Sequence, residues 1–248
     1  MIRIARSLES RPARRGARWF AMSAALAGIV FLTACRPDVV ERIETLYEHD
    51  KAGTIEIDEL TRALDDPSPR VRAVSAALLG RSEDDRALEP LKRAAADTNS
   101  GVRAATATAL GQLVDPRGVA MLDALARDDV PLVKRRAIQS LGVLGVREGA
   151  SALVAALDDP DPEMRRQAVK ALASVLAPET VDALLGALED EDIQTRAWAA
   201  RALGDIGDSR ARPALESLAM RENPYDRAAG KTALERLGPE SGTRSSER

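Results

Sequence analysis

Cys35 is the only cysteine and His49 the only histidine in 248 residues. Zinc sites built from Cys and His, an internal disulfide, and Ser-His or Cys-His nucleophile pairs each need more of these side chains, unless His49 serves alone. No cofactor and no metal site is expected from this inventory. The charged residues, 30% of the chain, are instead arranged in columns. Asp66, Asp97, Asp128, Asp159 and Asp190 recur every 31 residues, and Arg72, Arg103, Lys134, Arg165, Arg196 and Arg227 follow in the same register.

The elements that carry these columns follow from the apolar residues. The chain has two Trp, two Tyr and two Phe, of which Trp19, Phe20 and Phe31 precede residue 35. A core this poor in rings must be packed from Ala, Leu and Val, which suits helices better than strands. Leu60, Leu91, Leu122, Leu153, Leu184 and Leu215 form one column of the 31-residue period, and Leu79, Leu110, Leu141, Leu172, Leu203 and Leu234 a second. Val133, Ala137, Ser140, Leu141 and Leu144 trace the apolar stripe of a helix. Ser68-Pro69, Asp161-Pro162 and Asn223-Pro224 predict its start, a capping oxygen followed by a proline at the first helical position. Gly80, Gly111, Gly142 and Gly204 mark either its end or a close packing contact. A shorter helix, over about 55–65 in the first unit, precedes it. The small column Ser75, Thr106, Ala137, Ala168, Ala199 and Gly230 lets neighbouring units approach closely. The fold class is therefore all-α, an α-solenoid of about six 31-residue helical hairpins.

The Asp, then a turn, then Val102-Arg103-Ala104-Ala105, then Leu110-Gly111 pattern, repeated along 55–238, resembles the HEAT repeat in the short form found in phycobilisome lyases. The resemblance implies that Asp66 with Arg72, and their equivalents down to Asp190 and Arg196, form a charged ladder with a structural role. It also implies that the second helices line a concave face. Arg221 stands where the last unit should have its Asp, Lys231 fills an apolar column and Glu235 replaces Gly, as a polar terminal cap requires. The tail over 239–248 is predicted to be disordered. Asp38 with Glu41 has capping-box spacing, and Val39, Ile43, Leu46 and Tyr47 supply the apolar stripe of an N-terminal capping helix within 35–54.

Residues 1–18 carry six Arg against one Glu, and Trp19 to Ala34 is uncharged and largely apolar. A basic segment before a 16-residue apolar run predicts a secretory signal peptide over 1–34, since the run is short for a membrane span. Leu32-Thr33-Ala34-Cys35 resembles the lipobox of bacterial lipoproteins. That resemblance implies cleavage after Ala34, a lipid on Cys35 and a membrane anchor in a bacterial cell envelope, facing the periplasm. Arg36, where an inner-membrane retention signal would have Asp, favours the outer membrane. Removing 1–34 leaves a net charge of about −8 on the remainder, which argues against nucleic acid as a partner.

Two candidate sites remain. Glu48, Asp50, Gly53, Ile55 and Glu59 have the spacing of an EF-hand calcium loop, but Ala52 occupies a ligand position and Ile57 and Leu60 belong to the repeat register. The second is a strip on the predicted concave face. Its solvent-facing positions are small in the first two units (Ala73, Val74, Ala77; Ala104, Ala105, Thr108). They turn basic afterwards, as Arg135, Arg136 and Gln139, then Arg166, Gln167 and Lys170, then an exposed Trp198 and Arg201. Arg135, Arg136, Arg166, Gln167, Lys170, Trp198 and Arg201 form the predicted partner site. Arg and Trp dominate many binding interfaces, and Arg can grip a carboxylate with two parallel bonds. The expected function is a non-catalytic interaction scaffold whose partner is an envelope protein or an acidic peptide segment. A bilin-lyase-like enzyme or chaperone and a calcium-responsive adaptor are the alternatives.

Overall fold

The computed structural model describes residues 38–239. The predicted signal peptide, Cys35, its short tether and most of the predicted tail lie outside the described residues.

A capping helix, α1 (Val39–Ala52), leads into six hairpins. The first helices are short: α2 (Ile57–Ala63), α4 (Leu88–Ala94), α6 (Val119–Leu125), α8 (Ala150–Ala155), α10 (Val181–Ala187) and α12 (Arg212–Met220). The second helices are α3 (Pro69–Arg81), α5 (Ser100–Leu113), α7 (Pro131–Leu144), α9 (Pro162–Val175), α11 (Ile193–Ile206) and α13 (Pro224–Leu237). Both leucine columns form the spine of the core, and all their members are buried except Leu234 in the terminal repeat. Successive second helices pack on one another along their length, whereas the first helices pack mainly onto second helices. The stack is thus tighter on the second-helix side, which makes that side the concave one.

Proline or a capping side chain starts each second helix. Asp161 accepts from the Glu163 amide at 2.9 Å and Asn223 from Tyr225 at 2.9 Å, as expected. Ser68 differs, because its hydroxyl caps nothing and its own amide donates to Asp66 at 2.8 Å. Asp38 caps α1 by accepting from Val39, the first helical amide, at 2.6 Å. Gly80, Gly111, Gly142 and Gly204 are contact points, not helix ends, since each helix continues past them. A Cβ on Gly111 would lie 2.6 Å from the Ser140 hydroxyl, and one on Gly204 2.7 Å from the Ala233 carbonyl oxygen. The helix ends lie three residues on, in a left-handed column with positive φ at Glu83, Val114, Gly145, Leu176, Gly207 and Gly238.

The ladder forms, with a register one repeat longer than expected. Arg72 pairs with Asp97 (2.7 and 2.8 Å), Arg103 with Asp128 (2.6 and 2.9 Å), Lys134 with Asp159 (2.7 Å) and Arg165 with Asp190 (2.7 and 3.1 Å). Asp66, the first carboxylate, receives Arg42 from the capping helix instead of Arg72. Each of these arginines also donates to the backbone carbonyl of its own unit's Asp: Arg72 to Asp66 and Arg103 to Asp97, both at 2.9 Å. One guanidinium therefore clamps its own turn and the carboxylate of the next. The physical reason is reach: the Arg at the start of a second helix points along the stack, across the neighbouring turn. Asp97, Asp128 and Asp190 also accept the amide two residues on, at 2.8, 2.9 and 2.7 Å, which ties each turn to itself as well.

The last unit replaces this carboxylate. With Arg221 in the Asp column, Arg196 is met by Asp226 of α13, bidentate at 3.0 Å on both oxygens, and Asp226 is 3% exposed. The ladder therefore runs into the terminal repeat, through a carboxylate outside the Asp column.

Candidate functional site

Grooves run between successive second helices. The groove between α5 and α7, about 260 Å³, is lined by Thr108, Gln112, Arg136, Gln139 and Val143. Between α7 and α9 a groove of about 410 Å³ is lined by Gln139, Val143, Gln167, Lys170 and Ser174. A third, between α11 and α13, also about 410 Å³, has Ile193, Gln194, Ala197, Tyr225 and Ala229 along it, with Arg201 and Arg236 at one end.

Of the seven predicted residues, Arg136, Gln167, Lys170 and Arg201 line these grooves and Arg135, Arg166 and Trp198 do not, and their charges are not equally available. Arg166 is held by Glu163 (2.5 Å) and Asp192 (3.2 Å), and Gln167 donates to Glu163 at 2.7 Å. Hydrogen bonds from Gln167 and Arg166 keep the Glu163 carboxyl below its usual range. Arg201 lies 3.6 Å from Asp205, which also binds Arg236. Trp198 is half-buried and packs against the core, not exposed as expected. Lys170 of α9 stands 5.0 Å from its ring centroid and Arg201 5.1 Å, so the indole sits between two cations. Trp198 holds the position at which Arg136 and Gln167 edge their grooves.

Arg135 and Arg136 are different. Among the described residues neither forms an ion pair with a carboxylate; Arg136 only reaches the Gln139 side-chain oxygen at 3.5 Å. Lys170 forms no ion pair among the described residues either, but it stands over Trp198 and within Coulombic reach of Glu163. Ala104, expected to face solvent, is buried. Its row lies at the margin of the helix seam, where a methyl is covered while an arginine reaches out.

The EF-hand spacing does not converge. Glu48 and Asp50 lie in the last turn of α1, and Gly53 ends that helix with φ 66°. Asp50 pairs with Arg81 at 3.3 Å, while Glu59 faces the His49 Nδ1 at 3.1 Å. Among the described residues no group of His, Cys, Asp and Glu is placed to hold a metal, and no helix is long and apolar enough to cross a membrane.

Two features escaped the sequence reading. The α11/α13 groove has Tyr225, 71% exposed, beside Ile193; an exposed Tyr in the terminal repeat was the available signal. The other is the Asp-x-Arg staple: Asp84, Asp115 and Asp208 each cap a short 3-10 turn before a first helix. Each also holds the side chain of Arg86, Arg117 or Arg210. Its residues share the 31-residue period in three units out of six.

Comparison with known proteins agrees with this geometry. HEAT repeats match over residues 57–142 and 150–235, and the PBS lyase HEAT-like repeat matches over 133–159. No curated protein sequence matches the chain. Among solved structures it is similar to an engineered protein (21% identity, TM-score 0.57, 73% of this chain and 96% of that one). It is similar also to a designed armadillo repeat protein in complex with the peptide (KR)4 (18% identity, TM-score 0.56, 74% and 100%). The complex of CpcE and CpcF of phycocyanin lyase from Nostoc sp. PCC7120 is a third (21% identity, TM-score 0.50, 94% and 92%). At these identities the likeness is one of fold, and the repeat match over most of the chain places it: the chain belongs to the HEAT-repeat family.

Proposed function

We propose that this HEAT-repeat chain is a lipid-anchored, non-catalytic adaptor of a bacterial cell envelope. In this reading Cys35 holds it to the membrane, the outer one favoured over the inner, and the solenoid faces the periplasm. The concave face holds an acidic segment of another envelope protein. The observation that carries the reading is the contrast within the strip: Arg166 and Arg201 are matched by the protein's own carboxylates, whereas Arg135 and Arg136 have none among the described residues. Evenly solvated surface charge gives no reason for two adjacent arginines without a carboxylate partner among the described residues, one of them edging a groove, on a chain of net negative charge. A guanidinium at a groove edge is suited to carboxylates because its planar fork can make two parallel hydrogen bonds.

The anchor supports the same reading through arithmetic. Each buried methylene contributes about 0.8 kcal/mol, so a multiply acylated cysteine holds durably where one chain would not. Likeness of fold to a designed armadillo repeat protein in complex with the peptide (KR)4 supports peptide binding by a stack of this kind, and the ligand proposed here has the opposite charge.

The test is reversal of the two unpaired charges, Arg135→Glu with Arg136→Glu, followed by capture of partners from envelope extract. Loss of the captured partner, with the helical circular dichroism unchanged, is the expected outcome. Undiminished capture would overturn the assignment of this patch.

A further inference from the structure

The chain contains four glutamines, Gln112, Gln139, Gln167 and Gln194, one on each of the four consecutive second helices α5, α7, α9 and α11. All four line the grooves of the concave face. They do not occupy one row. Relative to the 31-residue period, each lies three or four residues closer to the start of its helix than the one before. Together they make a diagonal that begins near the end of α5 and finishes near the start of α11. From this placement we infer that the diagonal is a backbone-reading track for an extended acidic polypeptide segment. The inference rests on the reading of the concave face proposed above and adds the path and conformation of its occupant.

A carboxamide offers one acceptor oxygen and two N–H donors, the complement of a peptide group, and it matches any backbone regardless of side chain. In a helix the occupant's amides and carbonyls are already used internally, so a row of carboxamides selects an extended chain. The spacing agrees. Adjacent helices lie about 8–10 Å apart and a shift of three or four residues is about 5 Å along the axis, so each step measures roughly 10 Å. That is about three residues of extended chain, and three steps span about ten residues.

Charge then places the carboxylates. Arg136 shares the α5/α7 groove with Gln112 and Gln139, and Lys170 shares the next with Gln139 and Gln167. The two middle amides are already oriented, Gln139 by Arg136 and Gln167 by Glu163. The two outer ones, Gln112 and Gln194, are exposed and make no hydrogen bond among the described residues. They are available to an occupant.

The experiment uses a fluorescein-labelled decapeptide of alternating Glu and Ser, its counterpart with Lys in place of Glu, and an ester analogue of the acidic peptide lacking alternate backbone N–H groups. The purified chain should bind the acidic amide peptide, and Gln112→Ala with Gln194→Ala should weaken it at least five-fold. The salt dependence should be unchanged and the circular dichroism the same. The ester analogue should bind the unaltered chain at least five-fold less tightly. If the Arg135→Glu, Arg136→Glu chain loses the acidic peptide while the glutamine variant and the ester analogue bind normally, the track is wrong and the charge reading stands. If the unaltered chain binds the lysine peptide equally well, or binds neither, both fall.

Discussion

Lys134 shows what one side chain contributes to a ladder. It reaches Asp159 at 2.7 Å through a single ammonium, whereas Arg103 and Arg165 grip their aspartates through two nitrogens and donate a third bond to their own turn. Lys134→Arg should restore both functions and raise stability by about 0.5–1.5 kcal/mol, the net value of a hydrogen bond, in urea unfolding. An unchanged midpoint would mean that the turn is already held without the clamp. Val114 carries a different local cost. It holds φ 52° in the column where the third and fifth units have Gly145 and Gly207, and it is 62% exposed, so little packing depends on its side chain. Left-handed backbone costs a residue with a Cβ about 1–2 kcal/mol. Val114→Gly should therefore raise the melting temperature despite the flexibility glycine adds to the unfolded chain, by up to about 1 kcal/mol in stability.

Helices meet at glycines, and the same residue type has opposite meanings on different helices. Gly204 of α11 faces backbone: a Cβ there would stand 2.7 Å from the Ala233 carbonyl oxygen and 3.0 Å from its Cα. A Cβ on Gly186 of α10 would meet no atom within 4 Å among the described residues. Alanine favours a helix over glycine by about 1 kcal/mol, so Gly186→Ala should stabilise by up to that amount. Gly204→Ala should destabilise by about 1–3 kcal/mol, because overpacking against backbone forces the helices apart. Thermal unfolding of the two variants checks both signs together, and equal shifts would deny that the second helices are in closer contact than the first.

Across the whole molecule the ladder couples stability to pH. Hydrogen bonds from Arg72 and Arg103 hold Asp97 and Asp128 below the usual carboxylate range. At Asp159 and Asp190 burial pushes upward, but the bonds from Lys134 and Arg165 and from the turn amides outweigh it. Since the folded values lie below the ordinary one of about 3.9, the unfolded chain takes up protons first on acidification. The stabilisation is complete above about pH 5 and is lost as pH falls through the folded values. Urea midpoints should accordingly be flat from about pH 5.5 to 7 and decline below about pH 4, and a rise on acidification would contradict the ladder. Because every aspartate is tied to the preceding unit, the loss is shared along the stack, as expected of an array stabilised by nearest neighbours.

The period, the helical hairpins, the leucine spine and the membership of each charged column were all legible in the sequence, because repetition shows a local pattern six times over. The small residues beside the helix seam were legible too, though whether Gly80 and its equivalents end a helix or admit a neighbour was not. Pairing across repeats was decided by tertiary structure: an arginine's reach depends on how far the next hairpin is displaced, and the period does not contain that distance. For the same reason Asp226, five residues out of its column, could replace the missing aspartate beside Arg196 only once the terminal helix was in place. Likewise, sequence showed a strip that turns basic from the third unit on. Which of its charges are free depended on where Glu163, Asp192 and Asp205 fold, since neutralisation acts over a few ångströms of space and not along the chain.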